Sequence, residues 1–131
     1  TLTVRRLAGR INNEINMRLS KHFSRHEFAC KCGCGFDTVD AELIDVLEDV
    51  RRQWGVPVTV NSASRCLEHN RAIGSTDRSQ HAIGRAADIV VQNVAPIHVH
   101  NYLNSIYPNT FGLGSYDDFT HIDTRSIKAR W

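Results

Sequence analysis

The sequence predicts an α+β domain in which a small, mainly antiparallel sheet is flanked by helices. Two long segments carry apolar residues at helical spacing, and short stretches of β-branched or alternating residues lie between and after them. These helical and strand-like segments do not alternate regularly, which is typical of the α+β class. The chain has 131 residues, which suits one domain with a core of its own.

Composition and charge exclude several classes of protein. The net charge of +2 is too small to argue for nucleic-acid binding, although it would not oppose contact with an anionic cell wall. The sequence contains no apolar run long enough to cross a membrane, and its first residues, 1–6, lack the apolar core of a signal peptide. We expect a monomer that does not insert into membranes, and the location of the protein stays open.

The N-terminal residues 1–18 are predicted to form a helix or the remnant of a linker, because Val4, Leu7, Ile11 and Ile15 follow helical spacing. The main domain is expected over residues 19–131. It begins with a short helical turn, for which Ser24–Glu27 provides a capping box and two flanking phenylalanines a hydrophobic staple.

A core helix is predicted from Thr38 or Asp40 to Trp54, where Gly55 stops it. The next strand brings Arg65 to its end. The predicted elements that follow the core helix are a strand over 58–62, a short helix over 67–73, a strand over 88–91, a helix that starts at Pro96 and ends before Pro108, with Ile106 on its buried face, and strands over 112–116 and 119–124.

The stretch 79–88 is the part of the sequence around which the chemistry is expected. It places His81 in a loop of small residues and Asp88 at the start of a strand, and Gly84 allows the loop to turn back. His121 stands in a later strand. Two histidines and one aspartate around an open fourth position are the ligands of a catalytic zinc site. Taken singly, each residue also fits an ordinary surface, core or turn position.

Strand alternation puts Phe119, His121 and Asp123 on one face of the last long strand. Asp123 can therefore orient an imidazole that binds a metal, or it can pair with Arg65. The two histidines of the helix over 96–106, His98 and His100, are excluded as ligands because residues two apart on a helix do not converge. Trp131 is assigned to packing.

The four cysteines allow three interpretations. Cys30, Cys32 and Cys34 share one loop, and Cys66 lies far away in the sequence. A four-cysteine zinc site is possible, but the spacing is not the usual pair of Cys-x-x-Cys motifs. The sequence favours free thiols or one disulfide to Cys66 over zinc.

The pattern Ser79-x-His81-x-x-Gly84-x-Ala86-x-Asp88, followed by Phe119-x-His121-x-Asp123, resembles the zinc D-alanyl-D-alanine carboxypeptidase family. That family includes dipeptidases, phage L-alanyl-D-glutamate endopeptidases and, more distantly, the hedgehog signalling domain. The likeness extends over residues 19–131 and includes three weaker pieces, Phe28-x-Cys30, Ser62-Ala63-Ser64-Arg65-Cys66 and Ala129-Arg130-Trp131.

The resemblance implies a fold like that of the hedgehog domain and these peptidases, Zn²⁺ held by His81, Asp88 and His121, and a peptidoglycan stem peptide as substrate. It implies that Arg65 binds a substrate carboxylate or the developing oxyanion, for which a guanidinium fork is suited. Ser79 is expected close to the substrate. Asp118, three residues before His121, is the expected general base, and Asp117 is expected to be a solvated turn residue.

Substrate choice is left open because the family usually has Gly-Tyr where this chain has Ala63-Ser64. D-Ala-D-Ala, L-Ala-D-Glu and cross-bridge bonds are all candidates, in a phage lysin or a wall-processing module that acts on the bacterial cell wall. Two other interpretations compete. The chain could be an inactive zinc-binding module that binds the wall or serves a structural role, or its cysteine cluster could be the metal site and the histidines ordinary.

Overall fold

The computed structural model describes residues 17–131, so the helix or linker predicted over residues 1–18 lies almost wholly outside the described part. The described chain forms three α-helices, two 3-10 turns and a five-stranded sheet, which confirms the α+β prediction. The helices are α1 (Ala41–Trp54), α2 (Leu67–Ala72) and α3 (Pro96–Ile106), and the 3-10 turns are Arg25–Phe28 and Gln80–Ile83. The strands are β1 (Val58–Ser62), β2 (Ala86–Val91), β3 (Gly112–Ser115), β4 (Thr120–Asp123) and β5 (Ala129–Arg130).

The strands lie in the order β1-β2-β4-β3-β5, and every neighbouring pair is antiparallel except β3 and β5. In the ladder between β2 and β4, Asp88 lies opposite His121 and Ala86 lies opposite Asp123. The predicted start of β2 at Asp88 is therefore wrong by two residues. Ala86 and Ala87 carry no strand signal of their own, and their pairing with β4 makes them part of the sheet.

Helix α1 forms as predicted because its apolar residues recur on one face. Leu43, Leu47 and Val50 are fully buried in the main core with Ile89 of β2. Full burial of one such side chain contributes about 2 kcal/mol. The helix ends at Gly55, whose positive φ of 66° closes the last turn with a hydrogen bond from its N–H to Arg51 O.

Helix α3 covers the part of the sheet formed by β3 and β4. Val99 and Leu103 are buried in the same core as Ile122, and the hydroxyl of Thr120 donates a hydrogen bond to Pro96 O at 2.9 Å. Ile106, which the helical pattern assigns to the buried face, is 39% exposed because it lies in the last turn. The sheet is thus covered by α3 on the side away from the predicted ligands.

The segment before α1 is fixed by one capping contact and one buried carboxylate. Glu27 accepts a hydrogen bond from the backbone N–H of Ser24 at 2.6 Å, as the capping motif predicts, and Phe23 packs edge-on against Phe28. Glu48 of α1 accepts hydrogen bonds from the side chain of Ser20 and from the backbone and ring of His22. Within residues 17–131, no helix combines the length and the apolar character needed to span a membrane.

Candidate metal centre

His81 lies in the 3-10 turn before β2 and is almost completely buried. Its Nδ1 lies 2.7 Å from the carbonyl oxygen of Ala63, which can only accept, so Nδ1 carries the proton. The lone pair is then on Nε2, which lies 3.4 Å from Asp88 Oδ1. A backbone contact thus fixes the tautomer of His81 and directs the free nitrogen toward Asp88.

Gly84 ends this turn and holds it against the segment before α1. Its φ is +74°, and a Cβ at this position would lie 2.3 Å from Thr38 O. Its carbonyl accepts a hydrogen bond from the N–H of Asp40 at 2.8 Å. Only glycine fits such a close approach, so this residue fixes where His81 sits relative to the sheet.

Asp88 and His121 face each other across β2 and β4. Asp88 Oδ1 lies 3.0 Å from His121 Nδ1. The ring centres of His81 and His121 are 5.2 Å apart, and one ligand atom from each of the three residues lies within 4.8 Å of the others. The structure therefore brings together the three residues that the sequence singled out as ligands.

The chemistry of these three atoms fits a divalent cation. His121 Nε2 lies 2.7 Å from Asp123 Oδ2, so this nitrogen carries the proton and Nδ1 keeps its lone pair. Burial would raise the pKa of Asp88, but the imidazoles of His121 and His81 beside it lower it to about 2. Two imidazole lone pairs and a carboxylate thus converge, and two nitrogens with one oxygen are ligands that catalytic zinc takes at about 2.0 to 2.2 Å.

Asp123 is completely buried between His121 and Arg125. Arg125 donates from Nε to Oδ1 and from Nη2 to Oδ2, both at 2.7 Å. Burial would raise the pKa of Asp123, but the bonds from His121 and Arg125 hold it well below its usual range. Burial would lower the pKa of His121, whereas the neighbouring carboxylates of Asp123 and Asp88 raise it. The arginine beside Asp123 is therefore Arg125, and Arg65 lies elsewhere.

Arg65 is buried next to Asp88 and uses three donors within the protein. Nε donates to Ser62 Oγ at 3.1 Å, Nη1 to Asn70 Oδ1 at 3.1 Å and Nη2 to Asp88 Oδ2 at 3.4 Å. A guanidinium has five N–H donors, so two are left for a ligand. The sequence identified Arg65, but it gave no signal for Asn70, which is fully buried and orients the fork.

The three candidate ligands line an open cleft of about 460 Å³ together with both arginines. One wall is aromatic: Tyr116 stacks on Phe119 with ring centres 4.4 Å apart, and Trp131 lies 5.0 Å from His121. Trp131, which the sequence assigned to packing, is 45% exposed on this wall. Its position depends on the parallel pairing of β5 with β3, which local sequence patterns do not reveal.

The remaining predicted site residues have different positions. Ser79 lines the cleft, and its hydroxyl accepts a hydrogen bond from the N–H of His81 at 3.2 Å. Asp118 is exposed in the turn between β3 and β4, between two residues of the aromatic wall, and does not itself line the cleft. His98 and His100 lie on α3, outside the three-residue cluster.

A small antiparallel sheet that presents two histidines and an aspartate in an open cleft has the features of a metal-dependent hydrolase. The chain belongs to the peptidase M15 family, whose model, described as Peptidase M15, matches residues 21–123. Peptidases of this family are zinc enzymes, so the resemblance seen in the sequence is confirmed at the level of the family. Comparison with curated proteins gives no match.

Proposed function

We propose that this zinc peptidase hydrolyses peptide bonds in peptidoglycan stem peptides, as a D-Ala-D-Ala carboxypeptidase or a murein endopeptidase. We assign zinc binding to His81, Asp88 and His121. The observation that carries the proposal is the convergence of their three acceptor atoms, since each imidazole is held in the tautomer that turns its lone pair inward. When bound there, zinc supplies Lewis acidity, which acidifies water toward a pKa of about 7 and polarises a carbonyl.

Hydrolysis of a peptide adds water across the C–N bond. A base must take a proton from that water, and an acid must deliver a proton to the leaving nitrogen. We assign both tasks to Asp118, which precedes His121 by three residues and stands in the turn beside Tyr116 and Phe119. Contacts of a catalytic acid or base are commonly long before substrate binds and shorten in the complex.

Arg65 and Ser79 are proposed to bind the substrate. Both line the cleft, and the unused donors of Arg65 suit a carboxylate of the peptide or the oxyanion that forms when its carbonyl is attacked. Asp123 is proposed to hold His121 in its ligating orientation. A cleft lined by two arginines favours an acidic peptide, and stem peptides carry free carboxylates.

The proposal is tested by incubating the zinc-loaded chain with purified muropeptides and identifying the products by mass spectrometry. The mass lost from each fragment reports whether a terminal D-Ala or an internal bond is cut. Asp118→Ala is expected to keep its zinc and lose hydrolysis, and His98→Ala on α3 serves as the matched control.

A second candidate is an inactive zinc-binding module that binds the wall. It is favoured by the exposure of Asp118 and by the three bonds that Arg65 already makes within the protein. Two results together would establish this candidate and end the peptidase proposal. The zinc-loaded wild type would leave muropeptides uncut, and it would still bind insoluble peptidoglycan in a pull-down.

A further inference from the structure

The four cysteines form a second cluster, separate from the three candidate zinc ligands of the cleft. One of them, Cys66, directly follows the cleft residue Arg65 in the sequence. Their Sγ atoms all lie within 4.8 Å of one another. Three of the sulfur–sulfur distances in this cluster are short: Cys30 to Cys32 is 3.4 Å, Cys32 to Cys66 is 3.7 Å and Cys30 to Cys66 is 3.8 Å. The long-range member, Cys66, is thus brought to the loop that carries the other three.

These distances match a tetrahedral metal-thiolate site. Four sulfurs placed at about 2.3 Å from a central zinc ion lie about 3.8 Å from one another. The Sγ atoms of Cys30, Cys32 and Cys66 form a nearly equilateral triangle of that size, and Cys34 lies close enough to complete the tetrahedron. A disulfide requires sulfurs at about 2.05 Å, so the arrangement resembles a metal site more than a bridge.

Backbone N–H groups point at the sulfurs. Cys66 N–H donates to Cys30 Sγ at 3.5 Å, His69 N–H to Cys66 Sγ at 3.3 Å and Phe36 N–H to Cys34 Sγ at 3.4 Å. Such donors stabilise a thiolate relative to a thiol, and the thiolate is the form that binds metal. The surroundings therefore suit several negative sulfurs close together, which would repel one another without a cation.

The loop is folded to allow this convergence. Gly33 and Gly35 both have positive φ, at 85° and 91°, and a hydrogen bond from Cys30 N–H to Phe36 O at 2.7 Å closes the loop. This tight loop lets three cysteines with single-residue spacing face one point. The sequence favoured free thiols or one disulfide to Cys66 because this spacing differs from paired Cys-x-x-Cys motifs.

We propose that Cys30, Cys32, Cys34 and Cys66 bind a second zinc ion with a structural role. Four protein ligands leave no open position, which is the feature that separates a structural site from a catalytic one. The ion would join the 30–36 loop to the start of α2.

The position of this site gives it a consequence for the cleft. Cys66 directly follows Arg65 and is the N-cap of α2, the helix that carries Asn70. Ser64 on the other side donates from its N–H to Phe28 O at 3.0 Å. A metal on the four sulfurs therefore fixes the backbone from which Arg65 reaches Asp88, and it acts as a positioning element for that arginine.

The first test is metal content. The full chain, purified with reductant and without chelator, is expected to contain two zinc ions by mass spectrometry of the metal. His81→Ala and Cys34→Ser are each expected to contain one. Cys34→His is expected to restore two, because three cysteines and a histidine also form a structural zinc site. A wild-type chain with one zinc ion, unchanged by Cys34→Ser, would overturn the proposal.

The second test does not depend on a folded cysteine variant. His81→Ala loaded with Co²⁺ alone is expected to show the thiolate-to-cobalt charge-transfer absorption of a sulfur site, and a mercurial that blocks thiols is expected to release the metal. Absence of this absorption, or a Cys30–Cys66 disulfide found by non-reducing mass spectrometry of the intact chain, would contradict the proposal. Absence of muropeptide hydrolysis by the zinc-loaded wild-type chain, with the thiolate absorption present, would instead count against the peptidase assignment alone.

Discussion

His121 Nε2 and Asp123 Oδ2 lie 2.7 Å apart on the same face of β4, and the same carboxylate is held by two bonds from Arg125. A carboxylate in this position keeps the proton on Nε2 and so leaves Nδ1 as the acceptor that faces Asp88. The orientation of a candidate ligand is therefore set by residues that do not touch the metal position.

Replacing Asp123 with Asn is expected to weaken zinc binding at the cleft by about 10- to 100-fold, the usual effect of removing a partner of a ligating histidine. Competition with a chromophoric chelator measures the change. Asp117→Asn, in the exposed turn after β3, is the control and should leave affinity unchanged. Equal affinity in Asp123→Asn and wild type would contradict this role.

Asp118→Asn is expected to lower kcat for muropeptide hydrolysis by about 10²- to 10⁴-fold, the usual contribution of a general acid or base. Zinc content and the melting temperature should be unchanged, because the side chain is exposed. Initial rates for Asp118→Asn and Asp117→Asn, measured side by side, separate loss of the base from a general change in local charge. Equal rates would assign the base elsewhere.

Gly84→Ala is expected to destabilise the fold by about 2–5 kcal/mol. A residue other than glycine costs about 1–2 kcal/mol at this positive φ, and the added methyl overlaps Thr38 O, where overpacking costs about 1–3 kcal/mol further. Gly55→Ala is the matched control, since Gly55 has a similar φ of 66° with open space around its Cβ. Denaturant melts of both variants should differ by the cost of the overlap alone.

Glu48 makes stability depend on pH in the acidic range. Burial would raise its pKa, but bonds from Ser20 and His22 lower it below its ordinary value of 4.5. A carboxylate with a lowered pKa in the folded state stabilises the protein above that ordinary value, and the contribution is lost as the pH falls through the folded pKa. The pH range in which this contribution to stability is lost thus lies at and below 4.5.

Glu48→Gln is therefore expected to lose about 1–3 kcal/mol at pH 7, because hydrogen bonds to a charged acceptor are lost. The difference from wild type should shrink as the pH falls below 4.5. Chemical denaturation at several pH values measures it, with Asp45→Asn on the exposed face of α1 as control. A difference that stays constant with pH would show that the charge of Glu48 is not involved.

The sequence predicted the parts of the fold that depend on local pattern. The boundaries of α1 and α3 follow from apolar periodicity with Asp40, Gly55 and Pro96 at the ends, and the structure confirms them. The start of β2 was missed because Ala86 joins the sheet through its partner on β4, which is a long-range contact. Ile106 was assigned to the buried face because helical periodicity alone does not show that its place in the last turn leaves it exposed.

The candidate ligands were identifiable because their chemistry and spacing are distinctive. The roles of Asp118, Arg65 and Ser79 stay predictions. Trp131 and Asn70 were missed, since an aromatic residue at the end of a chain and an asparagine in a short helix carry no local signal of a cleft. The cysteine cluster was also not predictable from local sequence, because only the folded structure brings Cys66 to the 30–36 loop.

Asp88 and His121 are opposite partners in the ladder between β2 and β4. Because side chains alternate along a strand, a slip of β4 by one residue would turn His121 toward the apolar core and expose Ile122 to water. Zinc bound at the proposed site would therefore require the correct register of these two strands, and its binding free energy would add to that of folding. Chelation would then loosen these two central strands first, and amide hydrogen exchange would record the loosening there before it reached α1.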